Sequence, residues 1–161
     1  MNRERLLLAA PALVCAGLLG FGYTLQYFDH QDPCPLCLVQ RGFYFLILFI
    51  FAAAALHGPM RRGSTVYCAA ALIAALGGLG VAARQVWLQY LPADQVPDCG
   101  PDLYFMLQNL PLARTLEKLF TGSGQCAEVN WKFLGLSIAE WSLAWFAALA
   151  LYALWLAFRR R

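Results

Sequence analysis

Four long runs of apolar residues dominate the chain, and only short polar stretches separate the first three. The runs cover about residues 6–26, 36–56, 64–88 and 141–158. Since about 20 predominantly apolar residues make a transmembrane helix, each run predicts one membrane span. The pattern therefore predicts an all-α membrane protein, a bundle of four transmembrane helices in a single integral membrane domain over residues 1–161.

The overall composition agrees with this pattern. Of the 161 residues, 61% are hydrophobic and 13% are charged, whereas soluble domains carry about 25% charged residues. The first run follows basic residues, as the apolar part of a secretory signal does, but it is too long and no Ala-x-Ala site closes it. We therefore expect this run to remain as an uncleaved anchor.

Basic residues are distributed unevenly between the two sides that four spans define. The N-terminus, the loop between the second and third spans, and the C-terminus share one side, which holds seven Lys or Arg and one acid. The other side holds five Lys or Arg and eight acids. The positive-inside rule therefore predicts that both termini are cytoplasmic and that the first and third loops face outward.

The third loop, about residues 89–140, is long and polar. Long loops in compact proteins are usually functional or disordered. Within this loop, Leu112–Phe120 has helical periodicity with four apolar positions on one face, which predicts a short amphipathic helix. This helix would lie either at the membrane interface or packed on the outer surface of the domain.

The predicted topology separates the six cysteines into two groups. Cys15 and Cys68 fall inside apolar spans, where a cysteine usually acts as a small buried hydrophobic residue. The other four lie on the outward side: Cys34, Cys37, Cys99 and Cys126. An even number of thiols on an oxidising side of a membrane predicts disulfides.

Cys34 and Cys37 form a Cys-Pro-Leu-Cys motif at the start of the second span. A disulfide within such a motif closes a very small ring and removes little entropy from the unfolded chain, which favours a redox role over a structural one. A set of structural disulfides and a zinc site remain the alternatives. Zinc is the weaker of the two, because no second Cys-x-x-Cys pair accompanies the first.

The neighbourhood of Cys37 favours a thiolate at this position. Pro33 and Pro35 suit a helix start, so Cys37 would lie in or near the first turn of the second span. The partial positive charge of a helix N-terminus stabilises a thiolate there. Arg41 is four residues further along on the same helix face, and its charge would act in the same direction. The alternative for Arg41 is a side chain that reaches out to the lipid headgroups.

Together, the four spans, the cytoplasmic termini and the two outward cysteine pairs resemble the disulfide bond formation protein B (DsbB) family of bacterial inner-membrane thiol oxidases. The run from Cys34 to Arg41, CPLCLVQR, resembles the family's Cys-x-x-Cys-x-x-x-Arg motif. Cys99 and Cys126 resemble its second pair, and the stretch from Cys126 to Trp141 resembles its approach to the last span. The resemblance covers almost the whole chain.

The resemblance implies the disulfides Cys34–Cys37 and Cys99–Cys126. Cys99–Cys126 would oxidise a DsbA-like periplasmic protein of the thioredoxin fold, with Cys99 forming the mixed disulfide. Cys34–Cys37 would then reoxidise the second pair through a transient Cys34–Cys126 link, and Cys37 would face a quinone of the membrane pool, ubiquinone or menaquinone. Arg41 would hold that cofactor. The protein would be a multi-pass inner-membrane enzyme that supports disulfide formation in secreted proteins.

Two positions depart from the family pattern. Many members carry a histidine near the outer end of the third span, where this chain has Arg84 followed by Gln85. Arg84 and Gln85 are the candidate cofactor contacts from this span, and Gln85 can still donate a hydrogen bond. Ala139 stands where a proline often precedes the tryptophan of the last span, which predicts a different start for that helix.

Two other functions use the same outward cysteines. A membrane metal-binding or carrier protein would use the four thiols as ligands, whereas a structural membrane subunit would use them as staples. The quinone-dependent thiol oxidase is the leading interpretation, and it requires neither a metal ion nor a nucleic acid.

Overall fold

The computed structural model of the chain describes residues 3–28, 33–58, 61–92, 94–96, 108–109, 111, 114, 124–127, 129 and 131–159. The elements in chain order are α1 (Arg3–Phe28), α2 (Pro35–His57), α3 (Arg61–Gln89), α4 (Gly124–Ala127), β1 (Lys132–Phe133), β2 (Leu136–Ser137) and α5 (Ile138–Arg159). Helices α1, α2, α3 and α5 are long, and α4 is a single turn.

The four long helices each have the length and composition to cross a membrane. Each contains one of the predicted spans and extends it by a few residues, so the predicted helical membrane fold is confirmed. The short antiparallel ribbon β1–β2 is an addition that the all-α prediction did not include. The amphipathic helix predicted over Leu112–Phe120 lies outside the described residues, apart from Arg114.

Helix α2 begins at the Cys-Pro-Leu-Cys motif. Cys34 is the N-cap residue, and its Sγ accepts a hydrogen bond from the backbone N–H of Cys37 at 3.3 Å. Pro35 occupies the first helical position, where its missing N–H would have had no partner in the helix. The helix ends at Gly58, whose φ of 55° provides a left-handed cap. Cys37 therefore lies in the first turn of α2, as predicted.

Helix α3 packs between α2 and α5, and α1 packs along α2. Cys15 and Cys68 are fully buried in the shared core, which confirms their interpretation as small hydrophobic residues. The two chain ends meet at one end of the bundle, which is called the terminal end below. There the Nη2 of Arg159 lies 4.0 Å from the Oε1 of Glu4. The opposite end, where α2 begins, is called the cysteine end below.

Two glycines of α3 allow its neighbours to approach closely. The ring of Phe43 from α2 lies against Gly77, and the ring of Phe146 from α5 lies so close to Gly78 that a Cβ atom there would overlap it. Phe146 also stacks on Tyr44, with ring centroids 4.2 Å apart. Small residues that bring helices together are typical of membrane bundles.

The ribbon leads directly into α5. Leu134 and Gly135 form its turn with φ of 53° and 82°, the positive values that a two-residue hairpin turn requires. At the start of α5, the Ser137 hydroxyl accepts from the Glu140 N–H at 3.3 Å, and the Glu140 carboxylate accepts from the Ser137 N–H at 2.7 Å. This reciprocal pair is a capping box, so the helix starts without a proline, and Ala139 is buried in its first turn.

Candidate active site

Three cysteine side chains meet at the cysteine end. The Sγ atoms of Cys34 and Cys37 are 2.8 Å apart with no bond between them. Cys126, on α4, is fully buried and hydrogen-bonds to the side chain of Cys34. Cys34 therefore lies between the other two. Cys99, the remaining predicted site cysteine, lies outside the described residues, and the two predicted disulfides stay predictions.

The surroundings of Cys34 favour the protonated thiol. Hydrogen bonds to Cys126 and Cys37, together with burial, raise the pKa of Cys34 above that of an ordinary thiol. The burial comes from an apolar cluster in which Leu36, Val81 and Leu88 pack around Cys34 and Cys126. At neutral pH this sulfur therefore keeps its proton.

Two buried glutamines lie against the pair of thiols. Gln85, on α3, directs its Nε2 to the Sγ of Cys37 at 3.2 Å and to that of Cys34 at 3.4 Å. Its Oε1 accepts a hydrogen bond from Nε2 of Gln40 at 2.6 Å and lies 3.6 Å from the Cys37 sulfur. Both glutamines are 4% exposed. Gln85 thus makes the kind of hydrogen bond that the sequence suggested for it.

Gln40 was not among the predicted site residues. A sequence signal for it does exist, because a polar amide within an apolar span is costly and usually has a specific partner. Gln40 is also three residues after Cys37, which places both on one helix face. Its partner on α3 is distant in the sequence, so only the fold connects the two amides.

Arg41 is directed toward α1. Its Nη1 donates to Oε1 of Gln26 at 2.6 Å and its Nη2 to the carbonyl oxygen of Gly22 at 3.0 Å. The guanidinium also lies 4.8 Å from the centre of the Tyr23 ring. These contacts hold Arg41 between helices, in contrast to a side chain extended to the lipid headgroups.

Arg84 and Gln85 are neighbours in sequence but point to different places. The Cζ of Arg84 lies 4.1 Å from the centre of the Trp87 ring. The side chain of Trp87 is more than half exposed. Gln85 lines the cavity beside the thiols, and Arg84 is not among the described residues that do so. The structure therefore brings Gln85 to the cysteines and places Arg84 elsewhere.

A cavity of about 360 Å³ lies beside Cys34 and Cys37. Its walls come from α1, α2, α3, the ribbon and the start of α5, and they are mostly apolar. Gln40, Arg41 and Gln85 are among the polar side chains that line it. Small-molecule sites typically combine such an apolar lining with a few placed polar groups.

Aromatic rings form one wall of this cavity. Trp131 stacks on Phe133 with centroids 6.0 Å apart, and the Trp131 ring meets Phe21 of α1 edge-on at 5.8 Å. The indole N–H of Trp141 donates to the carbonyl oxygen of Phe133 at 3.1 Å, which ties α5 to the ribbon. A cavity with such a wall suits a flat, apolar ring.

Metal ligation has no support in the part of the chain that the structure describes. Within that part, no group of three or more His, Cys, Asp and Glu side chains is arranged to hold an ion. The three sulfurs instead lie in an apolar cluster, and the Nε2 of Gln85 lies beside those of Cys34 and Cys37.

Comparison with known proteins agrees with this geometry. The sequence model of the family described as "Disulfide bond formation protein DsbB" matches residues 4–156. The chain is 48% identical over 160 residues to Disulfide bond formation protein B of Azoarcus sp. (strain BH72), covering 99% of this chain and 95% of that protein. It is 52% identical over 134 residues to the protein of that name from Hahella chejuensis, covering 83% and 81%. It is 44% identical over 160 residues to the one from Chromobacterium violaceum, covering 99% and 95%.

Proposed function

The chain belongs to the disulfide bond formation protein B family, and from this we propose that it reoxidises a DsbA-like periplasmic protein of the thioredoxin fold and delivers the electrons to a membrane quinone. Its general character as a multi-pass, disulfide-generating oxidoreductase follows from the family and the four membrane helices. The observation that most supports this proposal is the series of adjacent sulfurs, Cys126, Cys34 and Cys37, which ends beside a cavity of about 360 Å³.

The first exchange takes place between the partner protein and the Cys99–Cys126 disulfide. A partner thiolate attacks Cys99 and forms a mixed disulfide, and Cys126 leaves with the electron pair of the broken S–S bond. The second partner thiol then releases Cys99. The partner leaves oxidised, and Cys99 and Cys126 are left reduced.

The second exchange takes place within the protein. Cys126 attacks Cys34 of the Cys34–Cys37 disulfide, and the contact between Cys126 and Cys34 supports this choice of sulfur. Cys37 leaves as a thiolate, which the N-terminus of α2 and the Nε2 of Gln85 stabilise. Attack by Cys99 on Cys126 then restores the second disulfide and leaves Cys34 and Cys37 reduced.

The cavity fits the proposed cofactor. Its aromatic wall suits a quinone ring, and Arg41 and Gln85, which both line the cavity, are the polar residues that would hold the ring oxygens. When bound, a quinone supplies an acceptor for two electrons and two protons. Cys37 lines the same cavity, so its sulfur is the one that would face the ring. Either ubiquinone or menaquinone satisfies this argument.

The proposed location is the bacterial inner membrane with both termini in the cytoplasm. The excess of basic residues at the terminal side supports this orientation. In that orientation the cysteine end faces the periplasm, where a thioredoxin-fold partner is accessible.

A coupled assay tests the proposal. Purified protein, a quinone and the reduced DsbA-like partner are mixed, and quinone absorbance and partner thiols are followed together. We expect both to fall, and we expect Cys37→Ser to abolish the loss of quinone. Cys15→Ala, a substitution of a core cysteine that is not among the residues lining the cavity, is the matched control and should retain activity. Full activity of Cys37→Ser would exclude Cys37 from the mechanism.

A further inference from the structure

We propose that Gln40 is a positioning residue that fixes the orientation of the Gln85 amide, so that the Nε2 of Gln85, at 3.2 Å, is nearer to the sulfur of Cys37 than its Oε1, at 3.6 Å. This inference rests on the proposed role of Cys37 as a leaving thiolate. It assigns a function to a residue that acts on the sulfurs through its hydrogen bond to Gln85.

The geometry of the two amides carries the proposal. The two ends of a glutamine amide have nearly the same shape, so a half-turn of the Gln85 amide would exchange Nε2 and Oε1 with little steric change. The Gln40 Nε2 donates to the Gln85 Oε1 at 2.6 Å. If the Gln85 amide alone made this half-turn, two N–H donors would face each other at this distance in a buried site, and a buried donor without an acceptor is costly. The hydrogen bond therefore couples the orientation of Gln85 to that of Gln40.

The orientation decides how Gln85 acts on the thiols. As observed, its Nε2 lies 3.2 Å from the Cys37 sulfur, and an N–H donor stabilises a thiolate. In the reverse orientation, a carbonyl oxygen would face the same sulfur and repel its negative charge. Since both glutamines are buried, water screens the interaction between the amide and the sulfur only weakly. Gln40 therefore helps to decide which end of the Gln85 amide, the N–H donor or the carbonyl oxygen, lies nearer to the sulfur of Cys37.

Thiol alkylation tests the proposal without quinone or partner. The full-length protein carries Cys34→Ser, which retains an N-cap oxygen, and the alkylation rate of Cys37 is measured against pH by peptide mass spectrometry. Gln40→Met keeps the side-chain length and removes the donor. We expect the midpoint pH to rise by about one unit, which makes alkylation at neutral pH about tenfold slower.

A double substitution shows whether Gln40 acts through Gln85. Gln85→Met alone should raise the midpoint at least as far, and Gln40→Met combined with Gln85→Met should give no further shift. Tyr152→Phe removes one hydrogen bond at the terminal end and is the control for a general loss of stability, so its midpoint should not move. An unchanged midpoint in Gln40→Met, or additive shifts in the double variant, would overturn the proposal.

Gln40→Glu provides a second variant of the same size if Gln40→Met does not fold. A carboxylate cannot donate, so Gln85 would turn its Nε2 toward residue 40 and away from the sulfurs. Because the added charge raises the midpoint by itself, Gln40→Glu is compared with Gln40→Glu combined with Gln85→Met. Equal midpoints are expected, since Gln85 no longer donates to the sulfur, and a further rise in the double variant would overturn the proposal. Because the assay contains no quinone, failure of the wild-type protein to reduce quinone would contradict the proposed function and leave the result for Gln40 intact.

Discussion

At the scale of single residues, the site depends on an inequality between two neighbouring sulfurs. Cys34 is buried, and its hydrogen bonds to Cys126 and Cys37 raise its pKa. Cys37 is at the first turn of α2 and faces the Gln85 amide. The same motif thus provides one sulfur that keeps its proton and one that leaves readily.

Differential alkylation measures this inequality. In the reduced protein at neutral pH, Cys34 should react more slowly than Cys37, because a raised pKa means that the thiolate of Cys34 forms only at higher pH. Cys126→Ala removes the largest cause of that shift and should move the onset of Cys34 alkylation to lower pH. Faster alkylation of Cys34 than of Cys37 in the unsubstituted protein would contradict this account.

Arg41 gives a second prediction at this scale. Arg41→Lys cannot reproduce both the hydrogen bonds to Gln26 and Gly22 and the contact with Tyr23. We expect the KM for quinone to rise about tenfold with a smaller change in kcat, because a side chain displaced from the position of Arg41 would lose its hydrogen bond to the quinone. A hydrogen bond to a charged group contributes about 1.5–3 kcal/mol.

The control for Arg41 is Thr24→Val, which changes an exposed hydrogen bond within α1 and should leave the KM unchanged. Steady-state kinetics at varied quinone concentration separates the two parameters. A large fall in kcat at an unchanged KM would contradict a role for Arg41 in holding the cofactor.

At the scale of elements, the sequence predicted what depends on local pattern and missed what depends on contacts between distant segments. The four spans and the helix start at Cys34 follow from apolar runs and from proline chemistry. The ribbon β1–β2 has two residues per strand, too few to show a period. The family resemblance implied that Cys126 and Cys34 meet, whereas the pairing of Gln40 with Gln85 arises from helix packing, which a single sequence does not encode locally.

Close packing of α3 against α5 gives a prediction with an internal control. Gly78→Ala would place a Cβ atom against the Phe146 ring, whereas Gly80→Ala meets no atom within 4 Å. Overpacking a core typically costs about 1–3 kcal/mol. Thermal denaturation in detergent should therefore show a lower Tm for Gly78→Ala and little change for Gly80→Ala. Equal Tm values for the two variants would contradict the packing described here.

At the scale of the whole molecule, the bundle keeps its chemistry at one end. The termini meet at the other end, where Arg159 approaches Glu4 and Tyr152 donates to the carbonyl oxygen of Leu7. The cavity beside the thiols is lined by α1, α2, α3 and α5, four helices with the length and composition to cross a membrane. Under the proposed function, this arrangement would let a water-soluble partner and a lipid-soluble acceptor meet one set of sulfurs.

The proposed orientation is testable by labelling intact cells. In a variant whose native cysteines are replaced by alanine, Asp94→Cys and His57→Cys place single thiols at exposed positions of the cysteine end and the terminal end. A membrane-impermeant maleimide should label position 94 in intact cells and position 57 only after permeabilisation. The reverse pattern would contradict cytoplasmic termini.

The ratio of products tests the central claim most directly. Under anaerobic conditions with limiting quinone, one partner disulfide should form for each quinone reduced, because both conversions involve two electrons and two protons. The ratio is measured from partner thiols and from quinone absorbance in the same sample. A ratio of one is the predicted result, and partner oxidation that proceeds without consumption of quinone would contradict the account.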